Sequence, residues 1–271
     1  MSGRLRRLST PSRGIRVDPG VELSERSMLV ALTAVLPRDC AFSHATAAHV
    51  HGLPLPLGVN PISPVHVCRA SAAPPITRRG VQGHAGLERR PTQVTDGLRL
   101  TTPTSTWCDV ARGLSRARAV AAGDALLRDH QVTREDIEAQ IDLLKGVHGV
   151  PGLRLLVPLL RPGSMSPKES EARLLFHDHG LPEPELNVDI FDDWGTWLAK
   201  PDFTWRWGGV KVVGEYDGDQ HRTDRTAWQY ERDRRARLER NGWTYIEMTE
   251  IHLSRPARTT ELISRLRSVL L

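Results

Sequence analysis

The stretch VKVVGEYDGDQH, residues 210–221, brings Glu215, Asp217, Asp219 and His221 within seven residues of one another. Carboxylates this close repel one another when withdrawn from water, unless a proton or a cation intervenes. A hard divalent ion with oxygen ligands, Mg2+ or Mn2+, resolves that repulsion. Such an ion can lower the pKa of a bound water and brace a phosphodiester for in-line attack. With Asp202 a short way upstream, these residue types point to hydrolysis of a phosphate ester.

The elements around the acids place them. Trp207-Gly208-Gly209-Val210 sets Gly-Gly between two strand patterns, the signature of a two-residue hairpin turn. Pairing 207 with 210 and counting back along the ladder sets Asp202 opposite Glu215. Residues so opposed emerge on one face with Cβ atoms roughly 5 Å apart. Period-two alternation adds Asp217 to that face and sends Val210, Val212 and Tyr216 to the other. Pro201 suits a strand start or edge. Asp217 also reads as the first residue of an Asp-Gly turn, and both roles stay open.

The rest of 164–271 reads as helix, three strands, helix, strand, helix, a compact α/β or α+β unit. In SPKESEARLLFHDHG, Ser166 at N-cap, Pro167 at N1 and Glu169 at N3 form a capping box. Glu169 therefore has a capping role open to it beside a chemical one. Strands are expected at 186–192, 196–207, 210–218 and 243–248, with a polar, Arg-rich helix over 224–241. The last helix puts Leu262, Ile263, Leu266, Val269 and Leu270 on one face. The tryptophans at 194, 197, 205, 207, 228 and 243 are expected in core and sheet-face packing.

The ordered series Glu169 in SPKES, Asp202 in KPDF, Glu215-x-Asp217 in VVGEYDG and then His221 resembles the very-short-patch-repair-endonuclease-like domain of the restriction-endonuclease, or PD-(D/E)XK, superfamily. The resemblance covers nearly all of 164–271, including the helix YERDRRARLERNGW. It implies a restriction-endonuclease-like fold with a central mixed sheet flanked by helices, a bound Mg2+ or Mn2+, and DNA as substrate. On that resemblance Asp202 and Glu215 are metal ligands and Glu169 is the helix-borne acid completing the site. His221 is then a proton-transfer or phosphate-contacting residue. Asp217 stands where the wider superfamily has lysine, and Glu247 in TYIEM stands where relatives show arginine. Arg222, Arg225 and Arg234 are candidates for the DNA backbone. Against this, Glu231–Arg235 and Asp233–Arg237 are i,i+4 pairs of the kind a solvated helix uses for itself.

Earlier in the chain, helices are expected at 24–36 and 43–51, as a helix-turn-helix or an ordinary helical hairpin. His49 and His51 in AHVHGLP do not share a helix face and suit the helix end. Strand-like runs follow at 65–69, 81–86 and 92–103, the last folded back at Asp96-Gly97. Helices are expected at 104–114, 116–129, 133–145 and 151–160. FSHATAAHVHGLPLP (42–56) and LRLTTPTSTWCDVARGL (98–114) resemble the central region of proteins related to abortive-infection type IV antitoxins. That likeness implies a mostly helical domain with a small β-sheet, binding DNA, a toxin or another protein partner. RPGSMSP (161–167) reads as a linker, which divides the chain into domains at 1–162 and 163–271.

The composition is compatible with these readings. The chain has 271 residues, 39% of them hydrophobic and 25% charged, which excludes a disordered or fibrous protein and suits roughly two domains. The net charge of +5 suits a phosphate-bearing partner. Cys40, Cys68 and Cys108 are too scattered for a disulfide framework or a structural zinc site, so a reducing, cytoplasmic location is expected. The apolar run MLVALTAVL (28–36) is too short to span a bilayer, and no membrane partner is expected. Two functions follow: a metal-dependent DNA endonuclease, or a non-enzymatic DNA-binding regulator of antitoxin type that uses a nuclease fold.

Overall fold

The computed structural model describes residues 12–18, 20–218 and 225–271. The chain is mixed α/β and forms two compact units. Unit 1 comprises 1–115 and 130–158; unit 2 comprises 116–129 and 159–271.

Unit 1 is built on a six-stranded mixed sheet in the order β3-β4-β2-β1-β6-β5. Its strands are β1 (Ala41–Phe42), β2 (Val65–Arg69), β3 (Thr77–Arg78), β4 (Val81–Ala85), β5 (Thr92–Thr95) and β6 (Leu98–Thr101). The β5–β6 turn is the expected one: Thr95 pairs with Leu98, and Asp96 and Gly97 both have positive φ, +50° and +80°. The helices are α1 (Glu25–Thr33), α2 (His44–Val50) and α3 (Pro103–Ala111), then α5 (Arg134–Leu143) and α6 (Val150–Leu156), with α4 (Arg116–Asp129) between them in sequence. The 24–51 segment is neither a helix-turn-helix nor a helical hairpin, because β1 intervenes and pairs with both β2 and β6. Phe42, Val65, Val67, Leu98 and Leu100 bury the sheet face against Leu29 and Leu32 of α1. The sheet, not a helical bundle, is the frame of this unit.

Unit 2 departs from the expected linear boundary, since α4 belongs to it and packs on α7 (Pro167–Asp178). The reason is electrostatic as well as apolar. Asp124 of α4 and Arg173 of α7 are each 1% exposed and pair at 3.0 Å, while the Arg161 N–H donates to Asp124 Oδ1 at 2.6 Å. A buried charge is tolerated only with such partners, so neither helix can leave the other without stranding one.

The unit 2 sheet runs in the order β12-β11-β10-β7, from β7 (Glu185–Leu186), β10 (Phe203–Trp207), β11 (Val210–Tyr216) and β12 (Thr244–Met248). A separate hairpin pairs β8 (Ile190–Phe191) with β9 (Trp197–Ala199). The two long strands expected at 186–192 and 196–207 are thus each broken in two, the second at Lys200-Pro201-Asp202, where proline cannot donate to a ladder. Helix α8 (Arg225–Arg240) carries the chain from β11 to a parallel β12, and α9 (Glu250–Ser254) and α10 (Pro256–Leu270) close the unit. One sheet face, through Phe203, Trp205, Val212, Ile246 and Met248, packs on Phe176 of α7 and on Leu262, Ile263, Leu266 and Leu270 of α10. The other, through Val213 and Tyr245, packs on Leu238 of α8 and on Ile190, Leu198 and Ala199 of the hairpin. Trp205 and Trp243 are buried as expected. Trp194 is 87% exposed, and Trp197 and Trp207 stand largely out of the core, because they sit at the β8–β9 and β10–β11 turns.

Candidate active site

The β10–β11 register is the one the Gly208-Gly209 turn dictates: Trp207 pairs with Val210 and Phe203 with Gly214. Gly214 suits that position, since a Cβ on it would stand 3.2 Å from the Phe203 ring and 3.1 Å from the Met248 methyl, and these side chains would have to give way. The pairing stops there, one step short of setting Asp202 opposite Glu215. Instead of extending the strand, Asp202 turns its carboxylate onto the partner backbone, where Oδ2 accepts the Tyr216 N–H at 2.7 Å. Side chains alternate across a strand, so Glu215 shares the face of Val213, under α8.

Glu215 is 9% exposed, and Arg234 of α8 meets its Oε1 at 3.0 Å. The arginine expected to reach for a DNA backbone is therefore in contact with an acid of the site. In the parallel β11–β12 ladder Glu215 is level with Glu247, which is exposed. Like charges side by side in a sheet are destabilising without a counter-charge, and Arg234 supplies one. Glu247 thus adds a third acid near Asp202 and Glu215, and alternation along TYIEM was the signal for it. Asp217 lies just past β11, half-buried, with its N–H donating to Met248 O at 2.8 Å.

Glu169 sits in the first turn of α7, 6% exposed. Ser166 Oγ accepts its N–H at 3.2 Å, the N-cap half of the expected box, but its own Oε2 accepts the N–H of Met165 at 2.8 Å in place of that of Ser166, so the reciprocal half is not made. The same oxygen accepts Asn187 Nδ2 at 2.8 Å, and the Asn187 N–H donates to Asp202 O at 3.2 Å. Asn187 thereby ties Glu169 to the strand end that carries Asp202. It holds φ at +50°, a conformation that asparagine adopts more readily than most residues. An asparagine inside the run LNVDIFD was the available sign of that break. His221 and Arg222 lie outside the described residues, as does the side chain of Arg225, whose backbone opens α8.

Among the described residues no three His, Cys, Asp or Glu side chains are grouped to hold a metal ion. Mg2+ is often held by only one or two carboxylates, with water and substrate phosphate completing its shell. The hard oxygens of Asp202 and Glu215, at the end of the β10–β11 pair, are donors of that type.

Unit 1 carries a second polar cluster that sequence reading missed. His66 and His84 approach at 2.9 Å between Nδ1 and Nε2, and His44 stacks on His84 with centroids 3.6 Å apart and planes 11° from parallel. His44 Nδ1 lies 3.7 Å from Asp109 Oδ2 and 3.0 Å from Ser43 Oγ. Asp109 in turn is gripped by Arg90 at 2.7 and 2.8 Å and by Arg112 at 2.9 Å. Burial pushes the imidazoles down, His44 to about 3 and His84 to about 4, with His66 lowered too. Burial works to raise Asp109, but Arg90, His44 and Arg112 carry it below the usual carboxylate range. The alternation of VHVCR was the one visible trace, since it sets His66 on one face of β2.

With both clusters in place, the class of the molecule is a two-unit mixed α/β protein in which, among the described residues, no helix is long and apolar enough to cross a membrane. The chain is similar to two proteins of Mycobacterium tuberculosis. These are "Uncharacterized protein Rv2248" of strain H37Rv and "Uncharacterized protein MT2308" of strain CDC 1551 / Oshkosh, each 33% identical over 174 residues. That alignment covers 64% of this chain and 63% of each relative. No family profile matches the chain, and no solved structure matches it.

Proposed function

We propose that unit 2 is a divalent-metal-dependent DNA endonuclease of restriction-endonuclease-like type, hydrolysing phosphodiester bonds in the cytoplasm. The observation that carries this reading is the Asp202 carboxylate bound to the Tyr216 N–H, next to Glu215 at the end of the β10–β11 pair. Glu169 is tethered to the same strand end through Asn187. Asp202 and Glu215 would hold Mg2+ or Mn2+, which when bound supplies Lewis acidity to a phosphoryl oxygen and a more acidic water. The Tyr216 N–H fixes the Asp202 carboxylate, so the donor is oriented before any ion arrives. Arg234, once released from Glu215, is placed to meet the phosphate, with Arg222 and Arg225 ahead of it in the chain. His221 passes a proton, and Asp217 stands at the mouth of the strand pair. The buried thiols of Cys40, Cys68 and Cys108, all free, agree with a reducing compartment.

The test is incubation of the full chain with supercoiled plasmid and with mismatched duplex DNA under Mg2+, Mn2+ or EDTA. Nicking or linearisation with either ion and none in EDTA is expected; no cleavage with either ion overturns the enzymatic reading.

A second reading is favoured by the Arg234–Glu215 contact, because an arginine can stand permanently where a metal otherwise would. In that reading the fold only grips DNA, as a regulator of type IV antitoxin type with a toxin as further partner. Salt-sensitive DNA binding that survives EDTA, without cleavage, is its signature.

A further inference from the structure

We infer that His66 and His84 of unit 1 form a second metal site, an open two-imidazole site for a borderline divalent ion of the Zn2+, Co2+ or Ni2+ class. Parallel pairing of β2 and β4 sets His66 level with Gln82 and Cys68 level with His84, so the two histidines are diagonal neighbours on one face. Their planes lie 14° apart and their nitrogens point into one gap only 2.9 Å wide. Such a gap holds either one shared proton or one shared ion. Two imidazole nitrogens on a tetrahedral Zn2+, each at about 2.0–2.1 Å, stand about 3.3 Å apart. The pair therefore needs to open by only a few tenths of an ångström, with each ring turned by roughly 35° so that its lone pair meets the ion.

The surroundings favour a cation with nitrogen ligands over the alternatives. Both nearby guanidiniums, Arg90 and Arg112, are committed to Asp109, and Arg90 also donates to Gly86 O at 2.7 Å. That leaves an anion little to bind. Nitrogen donors select borderline ions over Mg2+, whereas the acids of unit 2 make the opposite selection. His44 clamps the face of His84, itself steadied by Ser43 and Asp109. It does so at φ +50°, an unusual backbone state for a residue with a side chain, which persists only where the surroundings enforce it. His44 lies closer to His84, at 3.6 Å, than to His66, at 5.9 Å, so His66 at the half-exposed flank is the ligand freer to move. With two protein donors the remaining positions belong to water, so the site is open on one side.

The experiment is calorimetric titration of Zn2+ into the metal-free full chain and into four variants: His66→Ala, His84→Ala, the exposed His49→Ala as control, and Asp202→Ala/Glu215→Ala. A Zn2+-binding step common to wild type, the His49 control and the carboxylate variant, whatever the unit 2 acids bind besides, is expected to be absent from the His66 and His84 variants. Loss of either ligand should weaken binding by more than the roughly 10–100-fold typical of losing an outer-shell partner. No binding to wild type overturns the site. So does that step surviving His66→Ala or disappearing in the carboxylate variant. Should His84→Ala fail to fold, Zn X-ray absorption of the loaded wild type decides: imidazole scattering supports the site, and a shell of oxygens alone overturns it.

Discussion

Asp109 in unit 1 and Glu215 in unit 2 are both carboxylates drawn out of water, but they are neutralised differently. Asp109 has no exposed side-chain surface and is forked by Arg90, with Arg112 and His44 behind it. Glu215 keeps 11% of its side chain exposed, faces Arg234, and has Asp202 and Glu247 nearby along the sheet. The first arrangement is saturated: every partner serves to hold the charge in place. In the second, Arg234 faces Glu215 beside further acids, and a divalent ion can compete with it for the carboxylate. The difference separates a charge used for holding structure from a charge available for chemistry.

The sharpest way to break this comparison is Arg90→Ala. It leaves Asp109 buried with Arg112 and a neutral imidazole, and the loss of one partner from a buried pair costs about 3–5 kcal/mol. Urea unfolding followed by a unit 1 signal such as the fully buried Trp107 measures it; a loss under about 1 kcal/mol would show that Asp109 is not locked.

Acid comes next. An unfolded imidazole takes its proton near 6.5, whereas burial delays that step to about 4 in His84 and about 3 in His44, and lowers His51 and His66 as well. Between those values the unfolded state binds more protons, so stability is complete above pH 6.5 and is lost as pH falls toward 4. Thermal melting at pH 7.5 and 5.0 should show a lower midpoint at pH 5.0, and His44→Gln should flatten the dependence. A midpoint unchanged between the two pH values contradicts the buried, neutral assignment.

A smaller effect is expected from Arg234→Ala. Without the guanidinium, Glu215 loses a counter-charge beside Asp202 and Glu247, at a cost on the order of 1–3 kcal/mol. Added Mg2+ should restore part of that stability and should raise the melting midpoint of the variant more than that of wild type. Equal responses would mean that Mg2+ does not replace Arg234 at Glu215.

What could be read from the chain in advance divides along the same line. The Gly208-Gly209 turn is local, so the register from Trp207–Val210 to Phe203–Gly214 could be counted out residue by residue. The Ser166 cap and the apolar face of α10 were equally visible, because each depends on neighbours within a few positions. Glu247 was not read as part of the site, since its place beside Glu215 depends on a parallel pairing reached only through α8. Arg234 was assigned to DNA because nothing in its own helix reveals Glu215. The histidine cluster depends on the β2–β4 pairing and on a left-handed His44, both non-local. Helix α4 was placed with the wrong unit for the same reason: Asp124 finds Arg173 far along the chain.

The most direct test of the central claim is DNA cleavage by the Asp202→Ala/Glu215→Ala variant against wild type at saturating Mg2+, after both are shown to melt as folded proteins. A drop of at least about 100-fold is predicted, in keeping with removal of the groups that hold the electrostatic stabiliser of the transition state. Cleavage by the double variant at the wild-type rate would contradict the assignment of these acids to the active site.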